Sequence, residues 1–187
     1  MAKKQKRNWT DTIKYLKWEE WSRLRNSIDN DRDRLIILLL YATGMTVGEL
    51  TRLRIKDIDF GRRFLTIRPE NTKTKIGRRA RVPQKDLNRI ATYLRLTRKR
   101  KGRLFNLTPR RIQQLLKTYS EKAEIKATPH TLRHTHIVHA LLDKVPIMAI
   151  RNQVGHKRLS TIQIYSGLVA EYEEKIGSRD LRWWRLH

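Results

Sequence analysis

Eight consecutive apolar residues, Leu35 to Ala42 (LIILLLYA), stand in a chain of 187 residues of which 33% are charged. The run is the longest of its kind and far too short to cross a bilayer, which takes about 20 apolar residues. It reads instead as the middle of a strongly apolar helix over 31–43, closed by Gly44 and followed by a short helix over about 47–53. Trp18, Trp21, Leu24 and Ile28 recur at helical spacing, so a helix over about 17–28 should turn its tryptophans inward. At this length one compact domain is expected.

Further along, Asp57, Asp59 and Gly61 mark a turn into a strand. Phe64 to Arg68 alternates with period two, Pro69 to Thr72 turns, Lys73 to Ile76 extends, and Arg79 to Val82 makes a last strand stopped by Pro83. Helices are expected over about 85–99, 109–123, 131–142, 147–153, 159–166 and 170–176. Pro109, Pro129 and Pro146 fall near three of the starts, where a missing amide costs little. The fold class is therefore α+β, mainly α, with a small three-stranded antiparallel sheet. Residues 1–14 read as a basic leader, and residues 15–187 as one domain with a C-terminal tail.

Forty-three Lys and Arg against eighteen Asp and Glu give a net charge of +25. A surplus of that size is usually matched by a polyanion. From Asn71 to Ser120 there is a single acidic residue, Asp86, against sixteen Lys and Arg, whereas a solvated helix face normally mixes the signs. Arg78, Arg79, Arg81, Arg98, Lys99, Arg100, Lys101, Arg103, Arg110 and Arg111 are the candidates to neutralise backbone phosphates, with an affinity that falls steeply with salt. There is no cysteine, which excludes disulfides and cysteine-based metal sites. The N-terminus has no apolar signal core, so a cytoplasmic, nucleoid-associated protein with no membrane partner is expected.

His130, Arg133, His156 and Tyr165 bring two imidazoles, a guanidinium and a phenol together within one stretch of the C-terminal half. Such a set can attack a phosphodiester without a metal. It supplies an attacking oxygen, a proton acceptor and donors to the phosphate oxygens. Taken singly each residue is weak evidence, because a core tyrosine or a capping histidine is the commoner case.

Their order is more specific. Thr-Pro-His-Thr-Leu-Arg-His-Thr at 128–135, Val-Gly-His at 154–156 and Ile-Tyr at 164–165 resemble the tyrosine recombinases, or phage integrase family. Upstream, Tyr-Ala-Thr-Gly-Met-Thr-Val-Gly-Glu-Leu at 41–50 and Thr72-Lys73-Thr74-Lys75 before Arg81-Val82-Pro83 extend the likeness over roughly residues 15–170. The resemblance implies that Tyr165 attacks the scissile phosphate of double-stranded DNA, leaving a 3′-phosphotyrosyl bond and a 5′-hydroxyl. It implies His130 as proton acceptor from the tyrosine, Arg133 and His156 as donors to the nonbridging oxygens, and Glu49 as a supporting carboxylate. Lys73 is the general acid it favours, with Lys75 the alternative. The bond energy is conserved in the phosphotyrosine, so no metal or other cofactor is implied. In the family a C-terminal helix commonly docks on a neighbouring protomer, so the terminal segment with Trp183 and Trp184 is expected to dock on a second copy on DNA or to fold back onto this domain. With so few residues before Trp18, the separate core-binding domain that usually completes the DNA clamp is expected to be lacking, the chain being either a fragment or a minimal integrase.

One position departs from the pattern: Thr46 stands where the family has its first catalytic arginine. Threonine donates one neutral hydrogen bond and cannot clamp a phosphorane. Loss of a preorganised donor slows chemistry by about 10² to 10³. A natural member with weak or lost cleavage, a deliberately inactivated variant, and rescue by another basic side chain all fit. Arg52 and Arg54 are badly placed for rescue from the same helix. The alternative to an enzyme is a catalytically inactive DNA-binding protein that keeps the fold.

Overall fold

The structure, a computed structural model, describes residues 13–72, 75–156 and 164–170. Its centre is the apolar helix. After α1 (Trp18–Ser27) comes α2 (Asp31–Thr43), in which Leu35 to Leu40 are all buried, so the helix is enclosed on every side. An apolar face that wraps the whole circumference has to be covered by several partners. α4 (Gln84–Leu96), α5 (Pro109–Lys122) and α6 (Pro129–Leu142) supply the cover. α1 lies on α5, and its tryptophans do point inward: Trp21 stacks on Tyr41 with ring centroids 4.0 Å apart, and Trp18 on His139 at 3.6 Å. The segment before α1 is tied to α6, where Leu16 N–H donates to Thr135 Oγ1 at 2.9 Å and Leu16 O meets His139 Nε2 at 3.0 Å.

Local chemistry sets the helix ends. Asn30 caps α2, its side-chain oxygen accepting from Asp33 N–H at 3.1 Å, and Gly44 closes it in the left-handed region at φ 60°. A side chain there would also collide, since a Cβ would lie 2.7 Å from Val154 and 2.9 Å from the His136 ring. The missing side chain lets α6 and α7 (Ile147–Val154) press against the end of α2, and that contact builds one wall of the site. Pro109 and Pro129 begin α5 and α6, each preceded by a threonine cap, Thr108 or Thr128. Pro146 immediately precedes α7.

The sheet has three antiparallel strands, as expected, but not the three expected strands. They are β1 (Ile58–Asp59), β2 (Phe64–Ile67) and β3 (Arg78–Arg81), in that order. Ile58–Asp59 forms a strand where only a turn was read. Asp59 supports the hairpin by accepting from Arg62 N–H at 2.8 Å. Of the strand expected over 73–76, Lys75 and Ile76 lie outside the sheet and residues 73–74 are outside the described residues. Leu65, Ile67 and Ala80 face the core, with Leu65 opposite Ala80 and Ile67 opposite Arg78.

Two apolar clusters result. The larger spans α1 to α6. The smaller joins Ile137, Val138 and Leu142 of α6 and Ile150 and Val154 of α7 to Tyr165, Leu168 and Val169 of a further helix, α8 (residues 164–170). α8 runs unbroken through residues 167–169, where a gap between two helices was expected. The expected helix start at 159 and the segment 171–187 lie outside the described residues.

Candidate active site

α6 starts beside a groove of about 1270 Å³ that runs between it, α3 (Val47–Arg52), α5 and the base of β3. Thr46, Glu49, Arg78, His130, Arg133 and His156 all line it. Arg133 is fixed by two backbone carbonyls: its Nη atoms donate to Gly44 O at 2.6 Å and to Val154 O at 2.7 Å. Burial and the nearby Arg78 charge lower its pKa, against the opposing pull of Glu49 and Tyr165. The close packing at Gly44 therefore serves the site directly, bringing the end of α2 to within reach of this guanidinium.

Thr46 caps α3 in a reciprocal box. Its hydroxyl accepts from Glu49 N–H at 3.3 Å, and Glu49 Oε2 accepts from Thr46 N–H at 2.8 Å. The same carboxylate takes a bidentate pair of bonds from Arg78, Nη1 to Oε1 at 2.7 Å and Nη2 to Oε2 at 2.9 Å. The two side chains are only 8% and 7% exposed. Burial pushes the Glu49 carboxyl up, but Arg78, the Thr46 N–H and Arg133 together hold it below its ordinary value. Arg78 thus differs from the rest of the proposed phosphate-contacting set. Arg79, Arg81, Arg98, Arg100, Lys101, Arg103, Arg110 and Arg111 are exposed and Lys99 is half-buried, whereas Arg78 is locked inside the groove.

Gln153 pins β3 to α7. Its amide accepts from Arg81 N–H at 2.8 Å and donates to Arg81 O at 2.9 Å, acting as a substitute strand for one residue. Its own carbonyl accepts from Arg78 Nε at 2.9 Å. Next in the chain, Gly155 closes α7 at φ 74°, and a Cβ there would lie 2.8 Å from Arg78 Cδ. His156 follows. Burial and the charges of Arg133, His134 and Arg78 lower it to about 4, and its Nδ1 is buried without a hydrogen-bond partner. His130 sits exposed on the rim at the start of α6. Lys75 also lines the groove, while Lys73 is outside the described residues.

Tyr165 lies behind Arg133, in the neighbouring apolar cluster. It is 5% exposed, packed in the smaller apolar cluster, and is not among the described residues lining the groove. Its hydroxyl lies 2.5 Å from Nδ1 of His134, not against His130. Burial raises the phenol pKa, partly opposed by Arg133, and burial together with His130 and Arg133 lowers that of His134. Both partners are thus held neutral at pH 7. His134 was missed in the sequence, although it follows Arg133 directly and lies one turn beyond His130 on the same helix face.

With this geometry, the sequence matches the phage integrase family over residues 14–171, and the chain belongs to that family. A tyrosine recombinase XerA of Pyrococcus furiosus is 40% identical over 170 residues, 85% of this chain and 59% of that protein. The chain thus spans little more than half the length of that relative. The crystal structure of a XerA recombinase superposes with a TM-score of 0.75 at 27% identity, covering 88% of this chain and 65% of that one. The catalytic domain of bacteriophage HP1 integrase has the same fold, with a TM-score of 0.69 at 23% identity over 89% of this chain and 96% of its own.

Proposed function

We propose that this chain is the catalytic part of a tyrosine recombinase that cleaves and religates double-stranded DNA at specific sites. The observation that carries this reading is the meeting of Arg133, His130 and His156 on one groove, with the phenol of Tyr165 held by His134, one helical turn along α6 from His130. In the reaction, the Tyr165 oxygen attacks the scissile phosphorus, forming the 3′-phosphotyrosyl bond as the bond to the 5′-oxygen breaks. Arg133 and His156 donate to the nonbridging oxygens as charge builds on them. His130 receives the phenolic proton. A lysine of the segment between β2 and β3, Lys73 or Lys75, protonates the departing 5′-oxygen. Religation reverses these steps on a new 5′-hydroxyl, and the exposed cations hold the duplex through its backbone.

Because the Tyr165 hydroxyl is buried against His134, it must leave that partner before attack. DNA seated in the groove would favour the released state by its affinity for it. The segment after residue 170 follows the nucleophile directly, and we propose that it docks on a second copy, so that assembly and release of Tyr165 are linked.

Duplexes enriched by this protein from a random pool, then nicked beside the candidate cleavage position, test the reading. A covalent protein–DNA adduct on a denaturing gel, absent in Tyr165→Phe, is the expected result. No adduct on a tightly bound, nicked duplex would leave the second reading, a DNA-binding protein without turnover. Thr46 and the burial of Tyr165 favour that reading.

A further inference from the structure

Position 46 brings no charge to the groove, yet a second guanidinium is already there. β3 carries Arg78 on its core-facing side, opposite Ile67 and two residues from the fully buried Ala80. Arg78 rests on Gln153 O and Arg133 on Val154 O, so two cations sit on consecutive carbonyls at the C-terminal end of α7. Unsatisfied carbonyls and the helix dipole favour positive charge at that end. Glu49 pairs with Arg78 and acts on Arg133, and with Glu70 it faces Arg52, Lys75, Arg78, Lys117 and Arg133 in the described lining, which leaves an excess of positive charge.

Donors remain to be used. Arg78 spends three of the five N–H groups of a guanidinium on Glu49 and Gln153. Arg133 spends its own on two carbonyls. The buried Nδ1 of His156 has no partner beside them. Two guanidinium groups and an imidazole around a shared concavity fit a tetrahedral oxyanion, because each guanidinium keeps N–H groups that can meet a different oxygen. Arg52 also lines the groove but is exposed, donating to Gly48 O and Asn71 O. Arg54 does not line it. Among the described residues, Arg78 alone combines burial, a fixed orientation and a place beside Arg133.

We infer that Arg78 completes the scissile-phosphate site, clamping nonbridging oxygens together with Arg133 and supplying the cation that Thr46 does not. The inference rests on the recombinase reading above. It answers the departure at position 46 with a side chain from the sheet in place of one from α3. The proposed roles of Tyr165, His130 and His156 are unchanged.

The test uses Arg78→Lys, which keeps a charge beside Glu49 and loses the fork, in the full chain with its fold checked by circular dichroism. Adduct formation is measured on the selected nicked duplex and on the same duplex with an uncharged methylphosphonate at the scissile position. Arg78→Lys is expected to slow the phosphate substrate by about 10² to 10³ and the methylphosphonate by less than about tenfold, since one nonbridging oxygen and its charge are gone. Equal loss on both substrates, or no loss on either, overturns the inference. If the unaltered chain forms no adduct at all, the recombinase reading falls, and a separate measurement still decides Arg78. Inorganic phosphate is titrated while the backbone amide of Gly155 is followed by NMR. Weaker apparent binding at that amide in Arg78→Lys, by fivefold or more, supports the clamp, and unchanged binding rejects it.

Discussion

At the scale of single residues, the site depends on groups that cannot be left alone. Arg78→Ala would leave the Glu49 carboxylate buried beside Arg133 only, and losing one member of a buried pair costs about 3 to 5 kcal/mol. Urea unfolding should register that loss. Gly155→Ala combines a left-handed backbone with a collision against Arg78, and should lower the melting temperature and loosen Arg78 together. Tyr165→Phe keeps the packing and gives up only the bond to His134, so about 1 kcal/mol of stability should be lost along with all adduct formation. Histidines set the acid response. Burial holds His139 near 3 and His136 and His156 near 4, against an ordinary 6.5. The unfolded chain then binds protons that the folded chain refuses. Stability is complete above pH 6.5 and falls as the pH drops toward those lowered values, by up to about 1.4 kcal/mol per pH unit for each histidine. His139→Gln, remote from the groove and sandwiched between Trp18 and Tyr41, should flatten that slope by one histidine's share when unfolding midpoints are compared between pH 6.5 and 4.5.

Elements differ in how firmly they are held. α2 is enclosed by three helices, whereas α8 is joined to the molecule through Tyr165, Leu168 and Val169 in the smaller cluster. Helices with few buried contacts open first. Hydrogen exchange should therefore release the amides of residues 164–170 well before those of α2. Leu168→Ala, at a cost of about 2 kcal/mol, should speed α8 about thirtyfold and leave α2 unchanged. The same contrast explains what the sequence disclosed. α2 announced itself by an unbroken apolar run, and α5, α6 and α7 by prolines at their starts. β1 has two residues, too few for any period to show. Arg78 was hidden among other arginines, since a strand written Arg-Arg-Ala-Arg looks uniformly solvated. The clue was there: Arg78 shares a pleat face with Ala80 and Val82, both buried. His134 was overlooked because its partner lies 31 residues away, on a helix whose docking no local pattern encodes.

For the whole molecule, charge should govern affinity and the groove should govern chemistry. The exposed cations after α4 are separate from the groove, so their loss should weaken DNA binding without selective damage to the chemical step. Arg98→Gln with Arg100→Gln should lower the slope of log affinity against log salt by about 1.8, measured by fluorescence anisotropy on duplex DNA. Membership of the family was readable from the order of its motifs, because spacing along the chain survives divergence. Where the second guanidinium comes from was not readable, because it depends on how β3 meets α7 in space. Glu49 adds a constraint on how such a chain can change over time. Both of its oxygens are already engaged, by Arg78 and by the N–H of Thr46. Arg78 could drift to a neutral residue only after some other cation had reached that carboxylate, and position 46 already touches it. The two positions therefore form a ratchet in which mutational order matters: an arginine at position 46 has to come before Arg78 is surrendered.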